Sequence, residues 1–238
     1  MLNNNPNNLT LLALDASTEA CSVALLHNHQ IISEFQLCPQ SHSLILLPMV
    51  DQILQQAEIT LAQLDGLVFG QGPGSFTGVR IGIGVAQGLA FAANLPLVGV
   101  STLQALAQGG YQQSGATTVI AAIDARMSEV YSGIYQLNEQ QLMMPMCAET
   151  VLSASKCVAH SQNYCQQAYA VGTGWDAYAE PLFVLRQNIE AVSVLYPHAQ
   201  HMLGLALAKF QSNDTVSAEH AQPVYVRDTV SWKKLPGR

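Results

Sequence analysis

Apolar positions along this chain follow two rhythms. Residues 9–17 read LTLLALDAS, a short apolar run that closes on Asp15 and small polar residues, as a strand does. ACSVALLHN (20–28) and QIISEFQL (30–37) follow after tight breaks, so the three predict a strand meander. The period then changes. In SLILLPMVDQILQQAE (43–58), Leu46, Val50, Ile53, Leu54 and Ala57 recur at helical spacing, with Pro48 opening or kinking the helix. GLVFG (66–70) predicts a buried strand, 76–94 a helix, PLVGV another strand and 102–108 a third helix. Three strands followed by alternating helix and strand predict an α/β fold, a mixed five-stranded sheet with helices on its faces.

The second half repeats the outline of the first. TVIAAIDARMSEVYSGIYQL (118–137) has the same strand, aspartate, turn and strand as LTLLALDASTEACSVALL, with Asp124 standing for Asp15. Two related lobes follow from this. A helix at 153–167, the strand AYAVGTG and a late helix, HAQHMLGLALAKFQ, complete the chain. QGGYQQSGA (108–116) reads as a turn-rich link between lobes. The expected division is an Asn-rich frayed tail at 1–8, a first lobe at 9–105, a smaller second lobe at 106–220 and a basic tail at 221–238. The late helix 198–211 is free to pack back on the first lobe.

Composition changes the picture in one respect. The 238 residues are 49% hydrophobic but only 11% charged, so part of the surface is built to be covered. No apolar run is expected to span a membrane, because Arg80 and Gln87 interrupt the best candidate. The start lacks a leader pattern, and five irregularly spaced cysteines suit a reducing cytoplasm. Net charge is −7, and before Lys156 the only cations are Arg80 and Arg126. The first two-thirds therefore cannot grip RNA; only the tail with Arg227, Lys233, Lys234 and Arg238 could touch it. A solvated basic terminus is the plainer reading of that tail.

The stretch GQGPGSFTGVRIGIGVAQGLA (70–90) raises the main question. Its helix carries Gly78, Gly82, Gly84 and Gly88, each of which costs roughly 0.5–1 kcal/mol relative to alanine. The helix is apolar on nearly every side, so both of its faces must be covered. Gly78 with Gly82, and Gly84 with Gly88, stand four apart, the spacing that lets another backbone approach. Either they seat the helix on its own sheet or they admit a partner. Scarce charge and the apolar run 44–50 favour the partner. The expected interface is Leu46, Leu47, Val50 and Leu54 with Gly78, Val79, Arg80, Gly82, Ile83, Ala86 and Gln87, Arg80 being the polar contact at its edge. On that reading Gly82→Leu abolishes partner binding in a chain that still folds. GPGSFTG lacks the lysine of a P-loop; Ser75 reads as a helix cap.

Other chemistry is thin. Asp15, Ser17 and Thr18 are the candidate nucleotide residues, yet their turn has neither glycine nor a nearby cation, and both Asp15 and Asp124 read better as turn caps. Cys157, His160 and Cys165 fit no common zinc spacing. His198 and His201 read as a solvated pair. Ser41-His42 has no evident acidic partner for a hydrolase triad.

LLALDASTEACSVALL, the glycine motif, LPLVGVSTLQALAQG, AAIDARMSEVY, VGTGW and PVYVRDTVSWKKLPG together resemble the bacterial TsaB (YeaZ) family over nearly the whole chain from Leu9. The resemblance implies a two-lobed actin-like ATPase (RNase H-like) fold. It implies a non-catalytic partner that binds and activates TsaD, together with TsaE, in making threonylcarbamoyladenosine on tRNA. The carbamoylated threonine arrives as an adenylate made by TsaC. It also implies that homodimers can form through the same surface; tRNA is expected to be met through the complex, and no cofactor of the chain's own is expected, with ATP at an interface shared with TsaD left open. TsaD-like chains carry two metal-holding histidines in GVNHxxGH; here GVSTLQAL places Thr102 and Leu106 at those positions, so the metal site is expected to be missing. The competing readings are a small-molecule kinase or metallohydrolase of the same fold acting alone, and a purely structural homodimer.

Overall fold

The structure is a computed structural model that describes residues 9–164, 168–186, 190–191 and 194–227. Strand β1 (Leu11–Asp15) is buried at every position and runs through the middle of the first sheet. β2 (Ala20–His27) and β3 (Gln30–Leu37) fold back antiparallel from it, with Asp15 opposite Ser22 and Ala20 opposite Leu37. α1 (His42–Gln56) follows, then β4 (Gly66–Gly70), α2 (Phe76–Ala93) and β5 (Leu97–Val100). β4 and β5 add in parallel on the other side, giving the order β3-β2-β1-β4-β5. The uninterrupted apolar runs of β1 and β4 are what a strand covered on both faces requires.

One face of this sheet lies under α1 and α2. Leu12, Leu14, Val23, Leu25, Leu67 and Phe69 meet Leu46, Met49, Val50 and Ile53 from α1 and Val79, Ile83, Ala86 and Ala90 from α2. Pro48 stands inside α1 on its exposed side, so the carbonyl of Leu44 loses its intrahelical donor there.

α3 (Thr102–Ser114) leads into the second lobe. Its N-cap Ser101 accepts from the backbone N–H groups of Leu103 and Gln104. The turn-rich link expected at 108–116 is a correction: the helix runs through it to Ser114, and only Gly115, at φ 74°, turns the chain. Gly109 and Gly110 are packing residues. A Cβ on Gly109 would stand 2.8 Å from the His201 ring, and one on Gly110 2.8 Å from a Val171 methyl.

The second sheet holds β6 (Thr118–Asp124), β7 (Glu129–Leu137), β8 (Met143–Pro145), β9 (Thr150–Ser153), then, after α4 (Ala154–Ser161), β10 (Ala168–Val171), and, after α5 (Gly174–Ala177) and α6 (Phe183–Arg186), β11 (Glu190–Ala191). Its order is β11-β10-β6-β7-β8, with β9 also pairing with β7. Both sheets thus have an antiparallel hairpin, a third stretch paired outside it, and two parallel strands on the opposite edge. Last, α7 (Gln200–Gln211) returns to the uncovered face of the first sheet. There Met202, Leu203, Leu205 and Ala206 pack on Leu11, Ala13, Val68 and Val98.

Candidate partner-docking surface

α2 begins where Ser75 Oγ accepts the Gly78 N–H at 3.3 Å and ends at Asn94 in the left-handed conformation. Its two glycine pairs have different work. A Cβ on Gly78 would lie 2.2 Å from the Ala16 carbonyl oxygen, and one on Gly82 would touch the Ala16 methyl at 3.7 Å. Gly78 and Gly82 therefore seat α2 on the end of β1. Gly84 and Gly88 have nothing within 4 Å of their Cβ positions and face outward.

This corrects the expected interface. Leu46, Val50, Gly78, Val79, Gly82, Ile83 and Ala86 are buried beneath α1 and α2 by the chain's own sheet. Leu54 is half-buried on the same cluster, and Gln87 donates through Nε2 to the Ala221 carbonyl at 3.0 Å. Only Leu47 and Arg80 stay exposed. The outer surface is instead made by Leu44 (74% exposed), Leu47, Phe76, Phe91 (82% exposed), Gly84 and Gly88, with Ile81, Val85 and Leu89 half-covered between them. On a helix apolar all round, periodicity does not separate inside from outside. The usable signal was size: Phe76 and Phe91 have no room beneath a helix seated by glycines.

Arg80 is held at the edge of this surface. Its guanidinium carbon lies 3.4 Å from the Phe76 ring centroid and 5.3 Å from that of Tyr225, so its charge rests on aromatic faces. By length and composition alone α2 is long and apolar enough to cross a membrane, against the expectation that Arg80 and Gln87 interrupt it. Its inner stripe, sealed on the sheet, is that of a core helix.

The turn after β1 is a separate matter. Asp15 is buried; its Oδ1 accepts from Ser17 N–H at 3.1 Å and Ser17 Oγ at 2.9 Å, while Oδ2 has no partner. Burial pushes its carboxyl up to about 6, with the Ser17 bonds opposing. The Ser17 carbonyl accepts from Ser75 N–H at 2.7 Å, and Thr102 Oγ1 donates to Ser17 Oγ. Thr18 Oγ1 is buried without a partner. Among the described residues no lysine or arginine is bonded to this turn, so its unpaired carboxylate oxygen and hydroxyl lack the cation that a nucleotide phosphate calls for. In the second lobe Asp124 Oδ1 likewise accepts the N–H two residues on, that of Arg126, at 2.8 Å, and the Tyr178 hydroxyl at 2.7 Å. Both aspartates cap turns. A cavity of about 650 Å³ between the lobes is lined by Gln71, Ser101, Gln104, Met146, Glu149 and Tyr225, and its one charged group is acidic.

The remaining candidates resolve simply. Cys157 is buried against Ser132 in the core of the second lobe, His160 lies 4.0 Å from the Cys147 sulfur, and Cys165 lies outside the described residues. His42 is buried with Nε2 on the Thr18 carbonyl, no part of a triad. His198 and His201 are a correction: His198 stacks on Phe35 at 5.4 Å, and His201 packs between His198 and Gln112.

Residues 36–232 match the family model for TsaD, tRNA N6-adenosine threonylcarbamoyltransferase. The chain is 47% identical to the Escherichia coli K12 tRNA threonylcarbamoyladenosine biosynthesis protein TsaB, covering 97% of this chain and 100% of that one. The Haemophilus influenzae protein of the same name is 44% identical, over 97% and 99%. This chain belongs to the TsaB family. A solved structure of YeaZ from Pseudomonas aeruginosa agrees, with a TM-score of 0.82 at 45% identity over 90% of this chain and all of that one. The TsaB-family chain thus has an α/β fold whose two sheets share one strand order. Thr102 is bonded to Ser17, and Leu106 is fully buried among Val119, Tyr135 and their neighbours.

Proposed function

We propose that this TsaB-family chain is a non-catalytic subunit that docks on a TsaD-family transferase and supports formation of threonylcarbamoyladenosine on tRNA. The observation that carries the reading is the outer face of α1 and α2. Gly84 and Gly88 leave open space on a helix surface flanked by Phe76, Phe91, Leu44 and Leu47. Exposed apolar residues clustered around a close-approach groove suit a helix of another protein. The hydroxyl and isobutyl groups at positions 102 and 106 support an accessory role, since neither supplies an imidazole ligand. TsaE joins the same assembly, and tRNA is met through the complex in the cytoplasm. A second copy of this chain uses the same face when the partner is absent. Any ATP belongs to the interface shared with TsaD, because Ser17 has spent its N–H and its hydroxyl on Asp15.

The test is direct. Gly84→Leu and Gly88→Leu should each weaken capture of the TsaD partner at least tenfold in a chain that still folds. Cells depleted of the protein should lose threonylcarbamoyladenosine from tRNA by nucleoside mass spectrometry. Undiminished capture by both variants, or normal nucleoside levels on depletion, overturns the proposal.

A further inference from the structure

Cys21, Cys38 and His42 come from three elements and meet at one point. Cys21 is the second residue of β2, Cys38 directly follows β3, and His42 opens α1. All three are buried, and one ligand atom from each lies within 4.8 Å of the others. Two sulfurs and an imidazole nitrogen in a buried cluster are the donor set of soft or borderline cations.

The setting of His42 points the same way. Its Nε2 lies 2.6 Å from the Thr18 carbonyl oxygen, which can only accept, so Nε2 carries the proton and Nδ1 keeps its lone pair. Metal-bound histidines are oriented this way, the far N–H donating to a backbone carbonyl. The segment is pinned as well. Cys38 N–H donates to the Glu19 carbonyl at 3.0 Å, and the Cys38 carbonyl accepts from Ser41 N–H at 3.0 Å. Tetrahedral zinc with bonds of about 2.3 Å needs its sulfurs ~3.8 Å apart. A spacing within 4.8 Å reaches that by side-chain rotation.

We propose that Cys21, Cys38 and His42 bind a thiophilic divalent cation, of which Zn²⁺ fits best, tying the start of α1 to β2 and β3. Binding displaces one proton from each thiol, two per ion, to solvent. A dication with two thiolates is neutral, which a buried site tolerates; Cu⁺ with the same ligands would leave a buried negative charge. The fourth position is left to water. The site is independent of the docking proposal and would anchor α1 from beneath the surface that proposal uses.

The experiment uses the untagged full chain, reduced and stripped with a chelator, then loaded separately with Zn²⁺, Co²⁺ or Cu⁺ and desalted. Expected are one Zn²⁺ per chain by elemental analysis, two protons released per ion, and a thiolate-to-cobalt charge-transfer band in the Co²⁺ form. Cys38→Ala and His42→Gln should lower zinc affinity at least a hundredfold, and Cys147→Ala should leave it unchanged. The cobalt spectrum is read on the unaltered chain, so a variant that fails to fold does not decide the matter. No retained zinc and no charge-transfer band, retention of Cu⁺ alone, or equal zinc affinity in Cys38→Ala overturns the site.

Discussion

Asp15 closes β1 with one carboxylate oxygen bonded to Ser17 and the other bonded to nothing. Its folded carboxyl titrates near 6 against a reference of 3.8. Between those values the folded state holds a proton that the unfolded chain has lost, so stability falls as pH rises through the window and stays lower above it. Asp15→Asn keeps the acceptor for the Ser17 N–H and removes the buried charge. It should raise the thermal midpoint at pH 7.5, by up to about 3 kcal/mol in stability, and change it little at pH 3.5. A variant equally or less stable at pH 7.5 would contradict the buried-charge account. That Asp15 caps its turn is legible in DAST, as it is for Asp124 in DARM. That it lacks a second partner is not, because burial depends on α2 and α3 closing over the turn.

At the scale of elements, α2 answers the question its glycines raised by splitting the two readings between its faces. The inner pair seats the helix and the outer pair leaves it bare. Gly82→Leu, expected from sequence to fold normally, should instead unfold or strongly destabilise the chain, because its side chain would enter the space of Ala16 and Leu14. A Cβ at Gly84 meets nothing within 4 Å, and Gly84→Leu relieves a helical glycine, so it should stabilise the isolated chain by roughly 0.5–1 kcal/mol in chemical denaturation while weakening docking. Opposite signs for fold and binding are the mark of a surface kept bare for a partner. α3 carries a related lesson. Its glycines imitate a turn in sequence, and only the neighbouring His201 and Val171 show them to be packing residues. α7 supplies the pH response of the far face. Burial, aided by His198, lowers His201 to about 4 from 6.5, and its Nδ1–H donates to Gln112 at 2.6 Å. The folded state then binds fewer protons than the unfolded chain, so this stability is complete above 6.5 and lost as pH falls toward 4. His201→Leu should flatten that loss by about 2–3 kcal/mol in pH-dependent denaturation; an unchanged slope would place the response elsewhere.

Over the whole molecule, the repeated strand–aspartate–strand outline was legible and became two sheets of one order. What joins them was not legible, since it depends on pairs more than ninety residues apart. Residues 221–227 cross from the first lobe to the second. Gln87 holds the Ala221 carbonyl, Val224 N–H donates to the Gln71 carbonyl at 2.8 Å, and Arg227 reaches Glu129 at 2.5 Å and the Ala125 carbonyl at 3.2 Å. A second arginine, Arg126, also spans the lobes, to Glu19 at 3.3 Å, but its side chain is 75% exposed whereas that of Arg227 is 16% exposed. Water screens the first contact and leaves the second largely intact. Arg227→Ala should therefore cost about 1 kcal/mol, a midpoint lower by roughly 2–4 °C, and speed amide exchange at the β6–β7 turn. Arg126→Ala should stay within about 0.5 kcal/mol of the unaltered chain. If the two variants lose equal stability, or exchange at the turn is unmoved in Arg227→Ala, the tail does not brace the lobes.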